Sequence, residues 1–290
     1  MLSLRDIRRR IRSVESTQQI TKAMKMVAAS RLKRTEATLL AIRPYADGYA
    51  QVVSRVAGQL RELRHPLLAI GGQENKKGRI GLMAITADRG LCGGFNTTMS
   101  NRILDFLNKH AGGEVSLAIV GRKGRDFLLR RDYRPCVEYV GLMGQYSYAL
   151  AQAMMKDLLK LREEHKLESI QLLYSRHRSA ISQEIVIEPY LPVQVPPQAT
   201  GQRSGPYIFE PDGETALEAV LEQSLAIQLY RALLETETSV YAARMTAMDN
   251  ATENAGDLIE SLTLSLNRAR QAIITTEIVE IMGGADALKT

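Results

Sequence analysis

Between Asp212 and Thr290 the chain contains no proline, and from Glu214 to Met282 a single glycine, Gly256, interrupts what otherwise has the composition of helix. At 1.5 Å per residue one helix over that span is roughly 100 Å long. A compact globule of 290 residues is only about 50 Å across. The spacing therefore predicts a helix that projects beyond the domain it belongs to, and a projecting helix needs a partner along its apolar stripe.

The other end of the chain supplies one. Leu2 to Arg43 is also free of proline and glycine. Leu4, Ile7, Ile11 and Val14 follow the three-four spacing of a coiled-coil seam, after which the apolar stripe reads as slipping to Ile20, Met24, Val27 and Leu32. On the C-terminal side Leu258, Leu262, Leu266, Ala269 and Ile273 keep a similar stripe. Residues 1–57 carry 12 Lys/Arg against 4 Asp/Glu, net +8, and residues 212–290 carry 5 against 13, net −8. Opposite signs favour packing of one helix on the other, although each exposed pair is worth only about 0.2–1 kcal/mol. Pro44 and Gly48 are expected to end or kink the first helix.

Composition narrows the class further. No run of about 18 apolar residues is present, so a membrane span is not expected. The start, MLSLRDIRRRIR, lacks the apolar core of a secretion signal, and Asp6 and Glu15 within a helical pattern read as a mature N-terminus rather than a transit peptide. Two cysteines, Cys92 and Cys136, suit a reducing compartment. The net charge of +6 is concentrated in the N-terminal arm, which by itself points weakly to nucleic acid or acidic lipid. The acidic C-terminal helix is the preferred explanation.

Between the two helices the period changes to strand and helix in alternation. Arg79–Thr86, Val115–Gly121, Pro135–Val140, Ile170–Tyr174 and Ile185–Tyr190 read as strands. Thr97–His110, Arg122–Arg131 and Tyr146–Leu167 read as helices. This order predicts an α/β domain with a mostly parallel, Rossmann-like sheet and flanking helices, plus the long helical pair. The expected organisation is an N-terminal coiled-coil helix over 1–57, a linker over 58–78, the α/β domain over 79–193, a connecting loop over 194–211 and the C-terminal coiled-coil helix over 212–290. The stretch from Pro189 to Pro211 holds six of the nine prolines, as a connection should.

The first candidate for chemistry is Ala87-Asp88-Arg89-Gly90-Leu91-Cys92-Gly93-Gly94-Phe95-Asn96, between a strand and a helix, where α/β folds bind ligands. Its glycines would let backbone N–H groups approach a phosphate. The P-loop Lys-Ser/Thr pair and the G-x-G-x-x-G spacing are both missing. Cys92 has no local partner for nucleophilic chemistry and reads as a buried or interfacial thiol. His65, His110, His165 and His177 show no metal-ligand spacing, and neither metal nor cofactor is expected. The polar stretch Asp249–Asp257, with Gly256, should resist helix by propensity; if helical, it should face protein or water rather than a greasy seam, its small side chains permitting close approach. Two other classes stay open on these residues: a nucleotide-binding enzyme dimerised by its helices, and a basic coiled-coil protein that binds nucleic acid or acidic membrane.

Specific segments carry a resemblance. Ile20-Thr21-Lys22-Ala23-Met24-Lys25-Met26-Val27-Ala28-Ala29-Ser30 resembles the N-terminal signature of the gamma-subunit family of F-type ATP synthases. Ala243–Ala255, Asn267–Thr275 and Glu280–Ala285 resemble its C-terminal helix, and Asp88–Gly94 and Gly121–Gly124 are similar to its sheet loops. Departures are Leu266 where tyrosine is common, Met282 where valine is usual and Ala87 for Ser/Thr. The cysteine-bearing insertion of the plant chloroplast form is missing.

The resemblance implies an antiparallel, left-handed coiled coil of the terminal helices beside an α/β domain. It implies a non-catalytic central-stalk rotor that transmits torque between an ion-driven membrane c-ring and an alpha/beta hexamer. Its partners would be alpha, beta, epsilon and the c-ring, with no nucleic acid and membrane association only through the complex, on the cytoplasmic face of a bacterial inner membrane. By motif, Arg270 and Gln271 are the pair expected to contact the beta subunit, with Arg244, Thr275, Glu280 and Met24 at further coupling positions. Arg89 and Cys92 would lie in a loop near the lower, acidic part of beta. Tyr207, Phe209 and Glu210 would rest on the c-ring. With the first helix ending near Pro44, about 42 residues or roughly 63 Å, the C-terminal helix is expected to overhang its partner by tens of ångströms.

Overall fold

The computed structural model describes residues 3–59, 65–69, 78–110, 113–180, 182–194, 209, 210 and 212–287, excepting the side chains of 58, 59, 69 and 283–287. Contacts group them into two compact units, one of residues up to Ala28 with those from Arg244 onward, the other Ala29–Ala243. The elements are α1 (Leu4–Gln59), β1 (Leu68–Ala69), β2 (Ile80–Ile85), α2 (Phe95–Lys109), β3 (Val115–Val120), α3 (Arg122–Leu129), β4 (Val137–Tyr139), α4 (Tyr148–Glu164), β5 (Ser169–His177), β6 (Gln183–Leu191), β7 (Val193–Gln194) and α5 (Gly213–Ala287).

In the unit Ala29–Ala243 the main sheet has the order β4-β3-β2-β5-β6. β2 lies between β3 and β5, parallel to both, β4 is parallel to β3, and only β6 runs antiparallel. β2, IGLMAI, is buried throughout because both sheet faces are covered, which is why it reads as a continuous apolar run. Met83, Ile85, Val120 and Leu172 pack with Met154, Met155 and Leu158 of α4 and Leu225, Leu229 and Leu233 of α5. Leu82, Ala84, Leu117, Ile119 and Leu173 pack on the opposite face with Met99, Ile103 and Phe106 of α2. The middle of α5 is thus a core helix, buried at every residue from Ala232 to Ala242.

α1 does not end at Pro44; it continues to Gln59 with the proline inside. A proline in a helix interior costs about 3 kcal/mol or more. Neighbouring contacts to α5 offset that: Arg43 bonds Glu235, Asp47 faces Arg231, Tyr49 donates to Gln223, and Val53 and Val56 pack on Leu217 and Leu221. Gly48 has open space around it and sits within the same helix.

In the other unit α1 and α5 run antiparallel, since Gln18 bonds the Thr252 carbonyl while Lys25 pairs with Asp249. The seam differs from the apolar reading. Ile20 and Val27 are 57% and 55% exposed. Leu4, Ile7, Ile11, Val14, Gln18, Thr21, Lys25 and Ala28 are buried or half-buried in a three-four alternation, and Met24, from the apolar reading, is half-buried beside Lys25. A strict seven-residue repeat imposes a left-handed supercoil, so the register is kept by polar residues where apolar counting had shifted it. On α5 the inward positions are Met248, Thr252, Ala255, Ile259, Leu262, Leu266 and Ala269. Leu258 and Ile273, expected in the stripe, are exposed. The polar stretch Asp249–Asp257 is helical and forms part of the seam: the Thr21 and Thr252 hydroxyls lie 2.8 Å apart, and Gly256 admits the Gln18 amide, which a Cβ there would meet at 3.2 Å. Lys25–Asp249 is a direct ion pair of 2.5 Å, whereas Arg5, Arg8, Arg10, Arg12 and Lys22 are exposed and Arg9 pairs with Asp6 of its own helix.

Candidate functional site

The C-terminal part of α5 is the most unusual surface. From Arg270 to Met282 every residue is exposed, on all sides of the helix. Ile273, Ile274, Ile278, Val279, Ile281 and Met282 are among them, Ile281 at 72%. A helix carrying large apolar side chains all round is one that something covers. Arg270 and Gln271 stand at the start of this stretch, Thr275 one turn after Gln271 with its hydroxyl donating to the Gln271 carbonyl at 3.0 Å, and Glu280 near its end. Arg244 and Met24 are half-buried, so neither belongs to the fully exposed tip. Ile273, Ile274, Ile281 and Met282 lie within the matched motifs without being singled out as site residues, and Ile278 and Val279 lie between them; the signal of all six is an apolar count that fits no single stripe.

At the C-terminal end of the sheet the glycine-rich loop is closed by its own aspartate. Asp88 Oδ1 accepts from the backbone N–H of Arg122 at 2.9 Å and of Gly141 at 2.8 Å, and Oδ2 accepts from Met143 N–H at 3.0 Å. Two residues earlier, the Thr86 hydroxyl accepts from Gly124 N–H at 3.0 Å and donates to the Val120 carbonyl at 2.9 Å. Backbone donors that a phosphate would take at the start of α3 are therefore already committed. Arg89 is exposed. Cys92 is buried among Ala87, Phe95 and Met99, with Asn96 Nδ2 donating to its sulfur at 3.1 Å, so within this chain it packs as core.

Buried polar groups anchor α5 to the sheet. Glu235 accepts from Arg43 at 3.1 Å and from His177 N–H at 2.6 Å, Ser175 N–H donates to Thr236 Oγ1 at 3.2 Å, and Ser239 donates to the Ser175 carbonyl at 3.2 Å. Two residues after Glu235, burial pushes the Glu237 carboxyl up from its ordinary range, against the opposing pull of Tyr241, the Gly144 amide and Arg31.

Near the start of α5, Phe209 packs half-buried against Val53, Val56, Leu217 and Leu221, which makes it an anchor of the chain; Glu210 is exposed, and Tyr207 lies outside the described residues. Among the described residues no three His, Cys, Asp or Glu side chains come together as a metal site.

A family model described as ATP synthase matches residues 3–288. The ATP synthase gamma chain of Desulfitobacterium hafniense is 46% identical and that of Pelotomaculum thermopropionicum 43%, each alignment covering 100% of both chains. Among solved structures, a chain of the central stalk and c-ring of the Tetrahymena thermophila mitochondrial ATP synthase superposes with a TM-score of 0.63 at 26% identity, covering 80% of this chain and 99% of its own length. A chain of the Euglena gracilis mitochondrial ATP synthase superposes with a TM-score of 0.67, covering 98% of this chain and 94% of that one; at 22% identity it speaks to the fold. A match over almost the whole sequence, together with full-length gamma-chain relatives, means that this chain belongs to the ATP synthase gamma-chain family.

Proposed function

We propose that this chain is the rotor of an ATP synthase central stalk, carrying torque between an ion-driven ring of c subunits and a hexamer of alpha and beta subunits, and performing no bond chemistry of its own. The observation that carries the reading is the α5 tip, thirteen consecutive exposed residues from Arg270 to Met282 with apolar side chains on every side. Inside a ring of subunits such a tip meets a surface in every direction, and turning an asymmetric one changes what each neighbour sees, which couples the neighbours' affinities.

In this reading Arg270 and Gln271 bond the beta subunit, the guanidinium offering a fork of donors to a carboxylate. Thr275, Glu280, Arg244 and Met24 support coupling along the shaft. Arg89 meets the lower part of beta, with Cys92 holding its loop from within. Tyr207, Phe209 and Glu210 belong to the foot on the c-ring, Phe209 through its packing. Epsilon joins the same stalk. The complex sits at the cytoplasmic face of a bacterial inner membrane, in keeping with bacterial relatives. Attachment is through the complex; no helix among the described residues is long and apolar enough to cross a membrane.

The test mixes the purified chain with alpha and beta subunits and compares assembly and ATP turnover with those of the double variant Arg270→Ala/Gln271→Ala. Co-assembly with raised turnover that the variant loses is expected. Unchanged turnover would discard those two contacts, and failure of the unmodified chain to assemble would end the rotor reading.

A further inference from the structure

We infer that the cavity between the last turns of α1, the early turns of α5 and the edge strand β6 is a binding site for an amphipathic carboxylate, a small molecule with one anionic head on an apolar body. Arg231 is the residue that takes the head. The site is separate from the rotor reading and stands on the geometry of this chain alone.

The cavity has a volume of about 410 Å3 and lies wholly within the unit Ala29–Ala243. Protein interiors leave few voids larger than a water molecule, and ligand pockets begin at about 300 Å3. What α1 presents explains the space. On one side of the cavity Arg43 reaches Glu235, and on the other Val53 and Val56 pack on Leu217 and Leu221. Between them α1 shows Ala46 and Ala50, one turn apart on the same face, whose methyl groups are too short to span the gap. Ile227 of α5, Tyr190 of β6 and Val193 of β7 complete the apolar lining. Gln228 donates to the Pro189 carbonyl at 3.2 Å, which ties α5 to β6 along the floor.

At one end of this apolar wall stands Arg231, a guanidinium short of acceptors. Its Nη1 is 3.6 Å from Asp47 and its Nε 3.8 Å from Glu235, both beyond hydrogen-bond distance, and the buried Nε makes no hydrogen bond among the described residues. Buried polar groups are almost always bonded, so a cation left in this condition on a cavity wall marks a place for an acceptor. Glu235 cannot be that acceptor, because it is committed to Arg43 and to His177 N–H. The two carboxylates that line the cavity do not cancel the attraction. Asp47 is 68% exposed, so water and salt screen it. Glu188 already accepts from the Tyr174 hydroxyl at 2.8 Å and from Arg176. A guanidinium offers a planar fork of donors that matches a carboxylate, and the alanines, Val53 and Ile227 beside it take an apolar body. A few placed polar groups in a mainly apolar concavity are the composition of a ligand pocket.

The test titrates octanoate, kept below its micelle concentration, into the purified full chain by calorimetry, with octanol and octylammonium chloride as the uncharged and cationic counterparts. Expected is saturable binding of one octanoate per chain, at least about tenfold tighter than either counterpart. Arg231→Gln should bring octanoate down to the affinity of octanol and leave octanol unchanged, which separates loss of the head contact from loss of the fold. Ala50→Phe fills the cavity from α1 without touching a charge; it should abolish binding of both ligands at an unchanged urea midpoint, and it serves as the second variant should Arg231→Gln fold poorly. The site would be overturned by an absence of saturable octanoate binding, by octanol or octylammonium binding as tightly, or by octanoate affinity that survives either variant. Equal loss of octanoate and octanol in Arg231→Gln would overturn the role given to Arg231.

Discussion

Replacing Glu235 separates a buried ionic contact from mere helix packing. Its side chain is 1% exposed and accepts from Arg43 at 3.1 Å and His177 N–H at 2.6 Å, with Arg231 at 3.8 Å. Glu235→Leu keeps most of the volume. It removes a charged hydrogen bond worth about 1.5–3 kcal/mol and leaves the buried His177 N–H without its acceptor, about 1–3 kcal/mol more. Arg43 is 36% exposed and regains water, which offsets part of the loss. The expected net is a destabilisation of about 3 kcal/mol, at the lower end for breaking a buried pair. Arg43→Met should cost about the same, since the carboxylate then stays buried with Arg231 beyond hydrogen-bond distance. Removing both charges together leaves the His177 N–H unpaired and its carbonyl without the Arg43 donor at 3.3 Å, about 1–3 kcal/mol, so the double variant should be about 3–5 kcal/mol more stable than the sum of the singles. Urea unfolding followed by tyrosine fluorescence is suitable, as the chain has 11 tyrosines and no tryptophan. Additive single effects, or a cost below about 1 kcal/mol for Glu235→Leu, would refute the argument.

Two further changes test the helices that carry the shaft. Glu237 titrates above its ordinary value of 4.5 because burial penalises its charge; the native state then binds the extra proton, so this group's contribution is full below 4.5 and is lost as pH rises through the raised value. Glu237→Gln should therefore raise the urea midpoint at pH 7 relative to the unmodified chain by more than it does at pH 4, and equal effects at both would contradict the assignment. Gly256→Ala should gain up to about 1 kcal/mol of helix propensity, because the Gln18 amide 3.2 Å from the new Cβ is the end of a flexible side chain and its bond to the Thr252 carbonyl is a long 3.4 Å; a lowered melting midpoint would mean that Gln18 is locked in place.

The failures of the sequence reading share a cause. Counting apolar residues moved the seam to Ile20 and Val27, yet the heptad runs on through Gln18, Thr21 and Lys25. Gln18 and Thr21 sit inward because the opposing helix offers the bare Gly256 and Thr252, with Lys25 pairing to Asp249 at the exposed edge of the seam, and that complement is visible only once the two helices are in register. The local cost of Pro44 predicts an end or a kink, while the contacts of Arg43, Asp47 and Tyr49 that carry the helix past it come from residues some 170 to 190 positions away. At the glycine-rich loop the motif was recognised and Asp88 was not singled out, since its three donors lie on two other connections.

Local and periodic physics were enough for the rest. A proline-free C-terminus with one internal glycine dictates a long helix, apolar runs spaced by helical segments dictate a parallel sheet covered on both faces, and motifs of matching order indicate the family. These signals survive in one dimension because each is a repeated short-range preference summed over many residues. Which face of each helix is inward, whether a polar residue is seam or surface, and that an aspartate stands where α/β folds hold a ligand were decided by tertiary structure. Each depends on a few pairings between distant residues, where one hydrogen bond or one missing Cβ outweighs the average preference of the segment.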